Sequence, residues 1–413
     1  MRQYKDLINK VLFTLGILFF YKICTYFPLP GIDLQMIQNF FEQQQNTMFG
    51  MANLFSGGAI ERMSFVAIGV MPYITAAILM ELFAHFDKNL GALKKEKDGM
   101  VIFIQRTRYL TVLIATFQAI GVAYGVTQMG EGILNIPVWQ FMSYAVPMLV
   151  LGTMLLMWLG EQISAYGIGN GISLIIFTAI VSSIPGGLVN TLSLIDNGTL
   201  NFLLFLVILF IIVITMLFII FIEKGERRIP LQYTSSEMTG NFLPIKLNLT
   251  NVIPAIFAGA LISIPSTIGV FFKDVPSLNF FNDLFAAGSL TYHLITFLLI
   301  FFFALLYSKV VFKTQETANN LNHSGAFIPG IRPGENTKLY LDKIAKKISI
   351  FSGVYLGFIA TVPWIIMQNL GAPFYFGGIV TLVVIQVVFD FINKFNSELS
   401  TIKLKENENN TFL

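Results

Sequence analysis

Long apolar runs, separated by mostly short polar connections, dominate the chain. A helix that crosses a membrane needs about 20 apolar residues. On that basis the pattern predicts ten spans and an all-α membrane protein. The spans are placed near residues 8–27, 65–84, 107–128, 140–160, 170–188, 201–223, 250–272, 290–312, 348–368 and 374–393.

Two of these spans carry the same interrupted pattern in opposite halves of the chain. Val70–Leu79 (VMPYITAAIL) and Val252–Leu261 (VIPAIFAGAL) both follow V-x-P-x-I-x-A-x-x-L. The first copy is preceded by Ala52–Ser64, which is too short to span a bilayer and is expected to form a short helix. Interrupted helices survive in a membrane only where protein or water covers them, and matching pairs indicate a repeat interface. We therefore predict two halves, residues 1–190 and 191–393, with a pathway between them.

Composition and charge support a membrane protein and predict its orientation. Apolar residues make up 55% of the chain and charged residues only 12%, and the mean hydropathy is +0.72. The connections on one side of the ten spans hold 23 of the 26 Lys and Arg residues, whereas the other side holds only Arg62 and Lys273. Basic loops stay in the cytoplasm, so both termini are predicted to be cytoplasmic, with residues 394–413 as a solvated tail.

Two of the basic connections, residues 224–250 and 313–347, are long for links between packed helices. The second contains GAFIPGIRPGE, whose Gly and Pro residues are expected to form turns that present Arg332 outward. One interpretation is a docking surface for a cytosolic partner, to which Arg227 and Arg228 would also belong. The other is that these basic residues only fix the orientation of the spans.

Groups that could carry chemistry inside the spans are scarce. Lys22 lies near the outer half of the first span, where it is expected to snorkel, and Glu81 lies near an inner helix end. The single cysteine, Cys24, is interpreted as a small buried apolar residue. No catalytic motif is recognisable, so we predict neither an enzyme nor a bound metal or cofactor. A repeat-built channel or an inverted-repeat carrier of a small solute remains open, and Glu81 is the best candidate for a coupling residue in a carrier.

Aliphatic pairs at helical spacing occupy the middle of four spans. Such pairs are common in membrane helices, but here they fall on spans that correspond under the repeat. They could meet in one hydrophobic constriction that excludes water and ions. The pairs are Val70 and Ile74, Ile176 and Ile180, Val252 and Ile256, and Ile379 and Val383.

Several long motifs, in order along the chain, resemble the SecY family of bacterial protein-conducting channel subunits. They include PLPGID (Pro28–Asp33), NLFSGGAIERMS (Asn53–Ser64), GVMPYITAAI (Gly69–Ile78), GEQISAYGIGNGISLIIF (Gly160–Phe177), NVIPAIFA (Asn251–Ala258) and ETANNLNHSGAFIPGIRPGENT (Glu316–Thr337).

The resemblance implies a clamshell of two inverted five-helix halves around an hourglass pore. A plug helix would close the pore, and a lateral gate would open to lipid between spans two/three and seven/eight. The plug corresponds to Asn53, Leu54, Phe55, Ser56, Gly57, Gly58, Ala59 and Ile60. The pore ring corresponds to Val70, Ile74, Ile176, Ile180, Ile256, Ile379 and Val383. The gate corresponds to Glu81, Gln118 and Asn248, and the docking surface to Arg227, Arg228 and Arg332.

The resemblance also implies a function. Secretory polypeptides with signal sequences would cross the bacterial cytoplasmic membrane, and apolar segments would be released into its lipid. A SecA-type ATPase would drive transport and a SecE-like subunit would brace the channel. SecG-like or accessory-Sec subunits could join them, whether a ribosome docks is left open, and no nucleic-acid function is implied.

The chain departs from the family pattern in its loops. The connection between spans six and seven is short and lacks extra basic residues in QYTSSEMTGNFLPIKLNLT, and the tail has no basic ending. These features resemble the accessory SecY paralogue of some Gram-positive bacteria, which exports serine-rich surface glycoproteins. A general channel and an accessory channel therefore both stay open.

Overall fold

The computed structural model describes residues 2–43, 53, 56–94, 96–129, 132–196, 198, 201–233, 242–259, 261–262, 284, 289–369 and 377–411. Within these residues the chain forms twelve labelled helices. They are α1 (Arg2–Cys24), α2 (Leu34–Gln43), α3 (Met71–Phe86), α4 (Lys88–Leu93), α5 (Lys97–Gln128), α6 (Val138–Tyr166), α7 (Gly171–Asp196), α8 (Phe202–Glu223), α9 (Leu290–Val311), α10 (Thr314–His323), α11 (Glu335–Asn369) and α12 (Gly378–Thr411).

The helices occupy the ten predicted spans. Eight helices in the described part of the chain are long and apolar enough to cross a membrane. The shorter apolar helix α3 stands at the second predicted span, and helical residues 253–259 stand at the start of the seventh. Residues 260 and 263–272 of the seventh span and 374–376 of the tenth lie outside the described residues.

The second span begins later than the apolar pattern suggests. Residues 65–70 form turns, and the helix starts only at Met71. Gly69 has a φ of +68°, a conformation that glycine adopts without steric cost and that interrupts a right-handed helix. Pro72 is tolerated in the first turn because its missing N–H has no helical partner there. The predicted start at residue 65 is therefore wrong by about one and a half turns.

The second copy of the repeat begins in the same way. Asn251 has a φ of +52°, and helical residues start at 253. Pro254 is thus the second residue of its helix, as Pro72 is of α3. Gly69 and Asn251 each immediately precede the first valine of the shared pattern, so the repeat includes the break in the backbone as well as the side chains.

Most of the helix packing occurs within each half. In the first half α3 packs on α5, α5 on α6, and α6 on α7, while α1 contacts both α6 and α7. In the second half α9 packs on α11, and α12 contacts both α8 and α11. The halves meet where α12 contacts α7 and α1. This is the arrangement expected of two five-helix halves.

The two long basic connections form one small folded unit, here called the loop domain. Strand β1 (Glu226–Pro230) pairs antiparallel with β3 (Phe242–Lys246), and β2 (Gln232–Tyr233) pairs with β4 (Ala326–Phe327) of the other connection. A separate apolar cluster, formed by side chains from both connections and from the start of α11, lies beneath the strands. The sequence predicted docking loops here but no strands, and it did not predict that the two connections fold together.

The polar tail continues α12 as a helix as far as Thr411. On this helix Glu398 Oε2 lies 2.9 Å from Lys10 Nζ of α1. This ion pair links the first and last helices, although its partial exposure makes its contribution to stability small.

Candidate functional site

The predicted ring residues meet in one apolar cluster that spans both halves, here called the constriction. Five of them are buried, and Ile74 and Ile256 are partly buried against the same cluster. Val252, the remaining member of the aliphatic pairs, is buried there too. The ring residues in the cluster come from residues 70–74, α7, residues 252–256 and α12, so both halves contribute aliphatic side chains to it. The five buried members are Val70, Ile176, Ile180, Ile379 and Val383.

A large cavity opens on one side of the constriction. It has a volume of about 780 Å³, and both halves line it. Ile74, Ile176 and Ile256 line it where it meets the constriction, whereas Glu81 and Asp390 belong to its polar lining. The cavity therefore has polar groups in its lining and contacts the apolar cluster through these three isoleucines.

The start of α7 contacts the cavity, and the same stretch that carries the constriction residues also contacts a further segment. Asn170 and Ser173 line the cavity, and Ile176 and Ile180 belong to the constriction. A β-carbon added at Gly57 would lie 3.0 Å from the Cα atom of Ala179, so the backbone around Gly57 rests directly on α7. We call residues 53 and 56–64 the covering segment.

The covering segment is a compact, hydrogen-bonded loop. Asn53 is helical, and residues 56–63 form turns and a bend, with Ser56, Gly57, Gly58 and Ala59 buried. Asn53 Nδ2 donates to Glu61 Oε2 at 2.9 Å, and the Glu61 backbone N–H donates to Asn53 Oδ1 at 3.0 Å. The Ser64 hydroxyl donates to the carbonyl oxygen of Cys24 at 2.8 Å. Leu54 and Phe55, also predicted in the plug, lie outside the described residues.

The three predicted gate residues have different surroundings. Glu81 pairs with Lys94, whose Nζ lies 2.5 Å and 2.6 Å from the two carboxylate oxygens. Glu81 also lines the cavity together with Tyr307 of α9, so the end of α3 and helix α9 border the same space. Gln118 is half-buried on α5. Asn248 lies just before the seventh span, in a buried polar network.

That network joins three elements. Asn248 Nδ2 donates to Glu223 Oε1 at the end of α8 at 2.6 Å, and the Ser352 hydroxyl of α11 donates to Asn248 Oδ1 at 2.8 Å. Glu223 is 9% exposed and Asn248 is 1% exposed. A buried carboxylate needs such partners, because an unpaired one carries a large desolvation cost. Asn248 therefore fixes the start of the seventh span to α8 and α11.

Replacing Asn248 with alanine is expected to lower the stability of the chain by about 1–3 kcal/mol, because the buried Glu223 carboxylate loses the amide that donates to it and Ser352 keeps only its longer contact with the Leu247 carbonyl oxygen. Thermal unfolding of the purified protein in detergent measures the change. Asn336→Ala is the matched control, since Asn336 is exposed in the first turn of α11 and its loss should change stability by less than about 0.5 kcal/mol. Equal midpoints for both variants would contradict the role given to Asn248.

The predicted docking residues all lie on the outside of the loop domain. Arg228 Nε donates to Glu226 Oε1 at 2.7 Å, and its guanidinium lies 4.7 Å from the ring centroid of Phe242. Arg227 is exposed on the same strand. Arg332 is exposed just before the start of α11. Its carbonyl oxygen accepts a hydrogen bond from the Thr337 hydroxyl at 3.1 Å. Since β2 and β4 pair, the two basic connections form a continuous folded unit rather than independent loops.

Two structural features near the predicted sites were not recognised from the sequence. Lys22 does not simply snorkel to the surface, because its Nζ donates to the carbonyl oxygen of Gly57. The pairing of β2 with β4 was also missed, since strands of two residues are too short to show an alternating pattern. In the described part of the chain, no group of His, Cys, Asp or Glu side chains is arranged to hold a metal ion.

Comparison with known sequences matches nearly the whole chain. The SecY family model matches residues 64–392. The chain is 42% identical over 411 residues to the protein translocase subunit SecY of Helicobacter pylori, covering 97% of this chain and 98% of that protein. It is 39% identical over 400 residues to the protein translocase subunit SecY of Escherichia coli K12, covering 94% and 90%.

Solved structures show the same fold. A protein-conducting channel matches with a TM-score of 0.66 at 18% identity, covering 94% of this chain and 92% of that one. A SecY protein whose plug domain stabilises the closed state and maintains a membrane seal matches with a TM-score of 0.68 at 19% identity over the same shares. These matches show that the chain has the same clamshell fold as these channels.

Proposed function

The chain belongs to the SecY family of protein-translocation channels, and from this premise we propose that its constriction passes unfolded polypeptides and its covering segment seals it at rest. The single observation that supports this most directly is that residues 173–180 of α7 contact all three features: Ser173 and Ile176 line the cavity, Ile176 and Ile180 belong to the constriction, and Ala179 contacts the covering segment. A polypeptide offers no constant charge or shape, so a yielding ring of aliphatic side chains suits it better than a fixed binding site. The family consists of channels rather than enzymes or solute carriers.

The proposed orientation puts the cavity, the loop domain and both termini in the bacterial cytoplasm. The distribution of Lys and Arg supports it, because 23 of 26 lie on the side that carries the loop domain. In this orientation the covering segment lies on the outer side of the constriction. A polypeptide would enter the cavity, part the aliphatic side chains and displace the segment last.

Partners would act at two surfaces. A SecA-type ATPase is proposed to bind the loop domain through Arg227, Arg228 and Arg332, which are exposed there. Signal sequences and apolar segments would leave sideways through a gate between α3/α5 and residues 253–262/α9, with Glu81, Gln118 and Asn248 along it. A SecE-like subunit is proposed to brace the halves, and a SecG-like subunit or a ribosome would be an additional partner.

We propose a general substrate range rather than one limited to serine-rich glycoproteins. Supporting this, the alignment with the Helicobacter pylori subunit leaves almost no segment of either protein unmatched. The short connection between spans six and seven is thus not by itself a sign of the accessory channel.

The test is transport by the purified channel. The chain is reconstituted in vesicles with a SecE-like subunit and a SecA-type motor, and ATP-dependent protection from protease is measured for two substrates. One carries an ordinary signal sequence and the other is a serine-rich surface glycoprotein. We expect protection of both. Protection of the glycoprotein alone would establish the accessory channel, and protection of neither, with an active motor, would refute the proposed function.

A further inference from the structure

Two consecutive residues of α1 hold two consecutive carbonyl groups of the covering segment. The Tyr21 hydroxyl donates to the carbonyl oxygen of Ser56 at 3.2 Å, and Lys22 Nζ donates to that of Gly57 at 3.0 Å. Both contacts reach the backbone of the segment, so they depend on its position and not on its side chains.

The ammonium group of Lys22 has a second partner on α7. Lys22 Nζ donates to the Ser182 hydroxyl at 3.0 Å, and Ser182 lies two residues after Ile180 of the constriction. A lysine ammonium has three donors, and a cation within a membrane span is costly unless polar groups surround it. Seated in this way, one cation bridges α1, the covering segment and α7.

An aromatic ring adds to the same contact. Lys22 Nζ lies 5.4 Å from the centroid of the Tyr26 ring, and the guanidinium carbon of Arg62 lies 4.3 Å from it. Arg62 belongs to the covering segment and Lys22 to α1, so the Tyr26 ring attracts one cation from each of the two elements in contact. If the segment departs, Lys22 loses the Gly57 carbonyl and Tyr26 loses Arg62.

We propose that Lys22 is the positioning residue that seats the covering segment in the closed channel. This inference rests on the proposed function, in which the segment is the seal. The ammonium group holds the seal through one backbone carbonyl and fixes it to the helix that carries Ile176 and Ile180. Removing the charge frees the segment without altering the constriction itself.

The reactivity of the only cysteine in the sequence can show whether the covering segment is in its closed position. Cys24 is 4% exposed, shares the apolar cluster with Ala59 of the covering segment, and its carbonyl accepts from Ser64. Modification of this thiol by a charged, membrane-impermeant methanethiosulfonate should therefore follow departure of the segment. Ion conductance of the same vesicles gives a second readout.

The experiment uses the full chain reconstituted with its SecE-like subunit and no motor. Lys22→Met should raise both the rate of Cys24 modification and the resting conductance on the order of tenfold to a hundredfold, whereas Lys22→Arg should stay close to the parent chain. Lys10→Met is the matched control. Lys10 lies on the same helix as Lys22, but its ammonium group pairs with Glu398 and does not contact the covering segment.

Parent-like modification and conductance in Lys22→Met would overturn the proposal. If that variant cannot be purified folded, Ser182→Ala removes the second acceptor of Lys22, together with the hydrogen bond from Ser182 to the Ala179 carbonyl within α7, and must still raise both readouts. An unchanged result there overturns the proposal equally. Failure of the proposed function looks different: the parent chain would protect no polypeptide, while the effect of Lys22→Met on the thiol and on conductance would remain.

Discussion

Replacing Ile256 with asparagine is expected to raise the ion conductance of the closed, reconstituted channel about ten- to a hundredfold. Ile256 lines the cavity and packs against the constriction, so a carboxamide there would lie between water and an apolar closure. Leaving an amide unsatisfied in a protein interior costs about 1–3 kcal/mol, and entry of water relieves that cost. A free-energy difference of this size changes the ratio of hydrated to dry constrictions about ten- to a hundredfold, and the ion conductance is expected to rise by the same factor.

Planar-bilayer recording without motor or substrate measures this effect. Ile256→Leu is the matched control, because it keeps the volume and apolar character of the side chain and should leave the channel closed. If Ile256→Asn conducts no more than Ile256→Leu, the assignment of the ring is wrong. An increase in both variants would indicate that packing, not polarity, closes the channel.

Reversing the charge at Arg332 is expected to weaken binding of the motor about ten- to a hundredfold and to stop most ATP-driven transport. Arg332 is exposed on the loop domain, so the substitution leaves the apolar cluster beneath it intact. A like charge placed against an acidic partner surface costs both the lost attraction and a new repulsion. Binding of the labelled motor to vesicles and protease protection of a substrate give the two measurements.

The control for Arg332→Glu is Lys343→Glu, which makes the same change in net charge at an exposed position on α11. Both variants should unfold at the temperature of the parent chain. If both variants lose motor binding equally, the effect of Arg332→Glu comes from the net charge of the loop domain and not from a specific contact at Arg332. If Arg332→Glu binds the motor and transports substrate fully, docking at this turn is refuted.

The sequence predicts the membrane part of the fold well, because span length and apolar pattern are local properties. The helix Phe202–Glu223 agrees with its predicted span to within one residue. The V-x-P-x-I repeat located both interrupted helices, and the aliphatic pairs predicted from spacing do meet in one cluster. The start of α3 was misplaced because apolar turn residues and apolar helix residues have the same hydropathy.

What the sequence could not supply were contacts between distant parts of the chain. Lys22 and Gly57 are 35 residues apart, and no local pattern indicates that the ammonium group of one reaches the carbonyl of the other. The network of Glu223, Asn248 and Ser352 likewise joins three separate elements. Such contacts follow from how helices pack, which periodicity does not specify.

The pairing of β2 with β4 also has a consequence for the order of synthesis. Gln232 can pair with Phe327 only after the ribosome has synthesised Phe327, which lies 95 residues later in the chain. At about 5–20 residues per second a ribosome needs roughly 5–20 s to make that stretch, which includes α9. A nascent chain that has not yet inserted α9 therefore lacks a complete loop domain. The surface that carries Arg228 and Arg332 is therefore completed only after most of the spans have been synthesised.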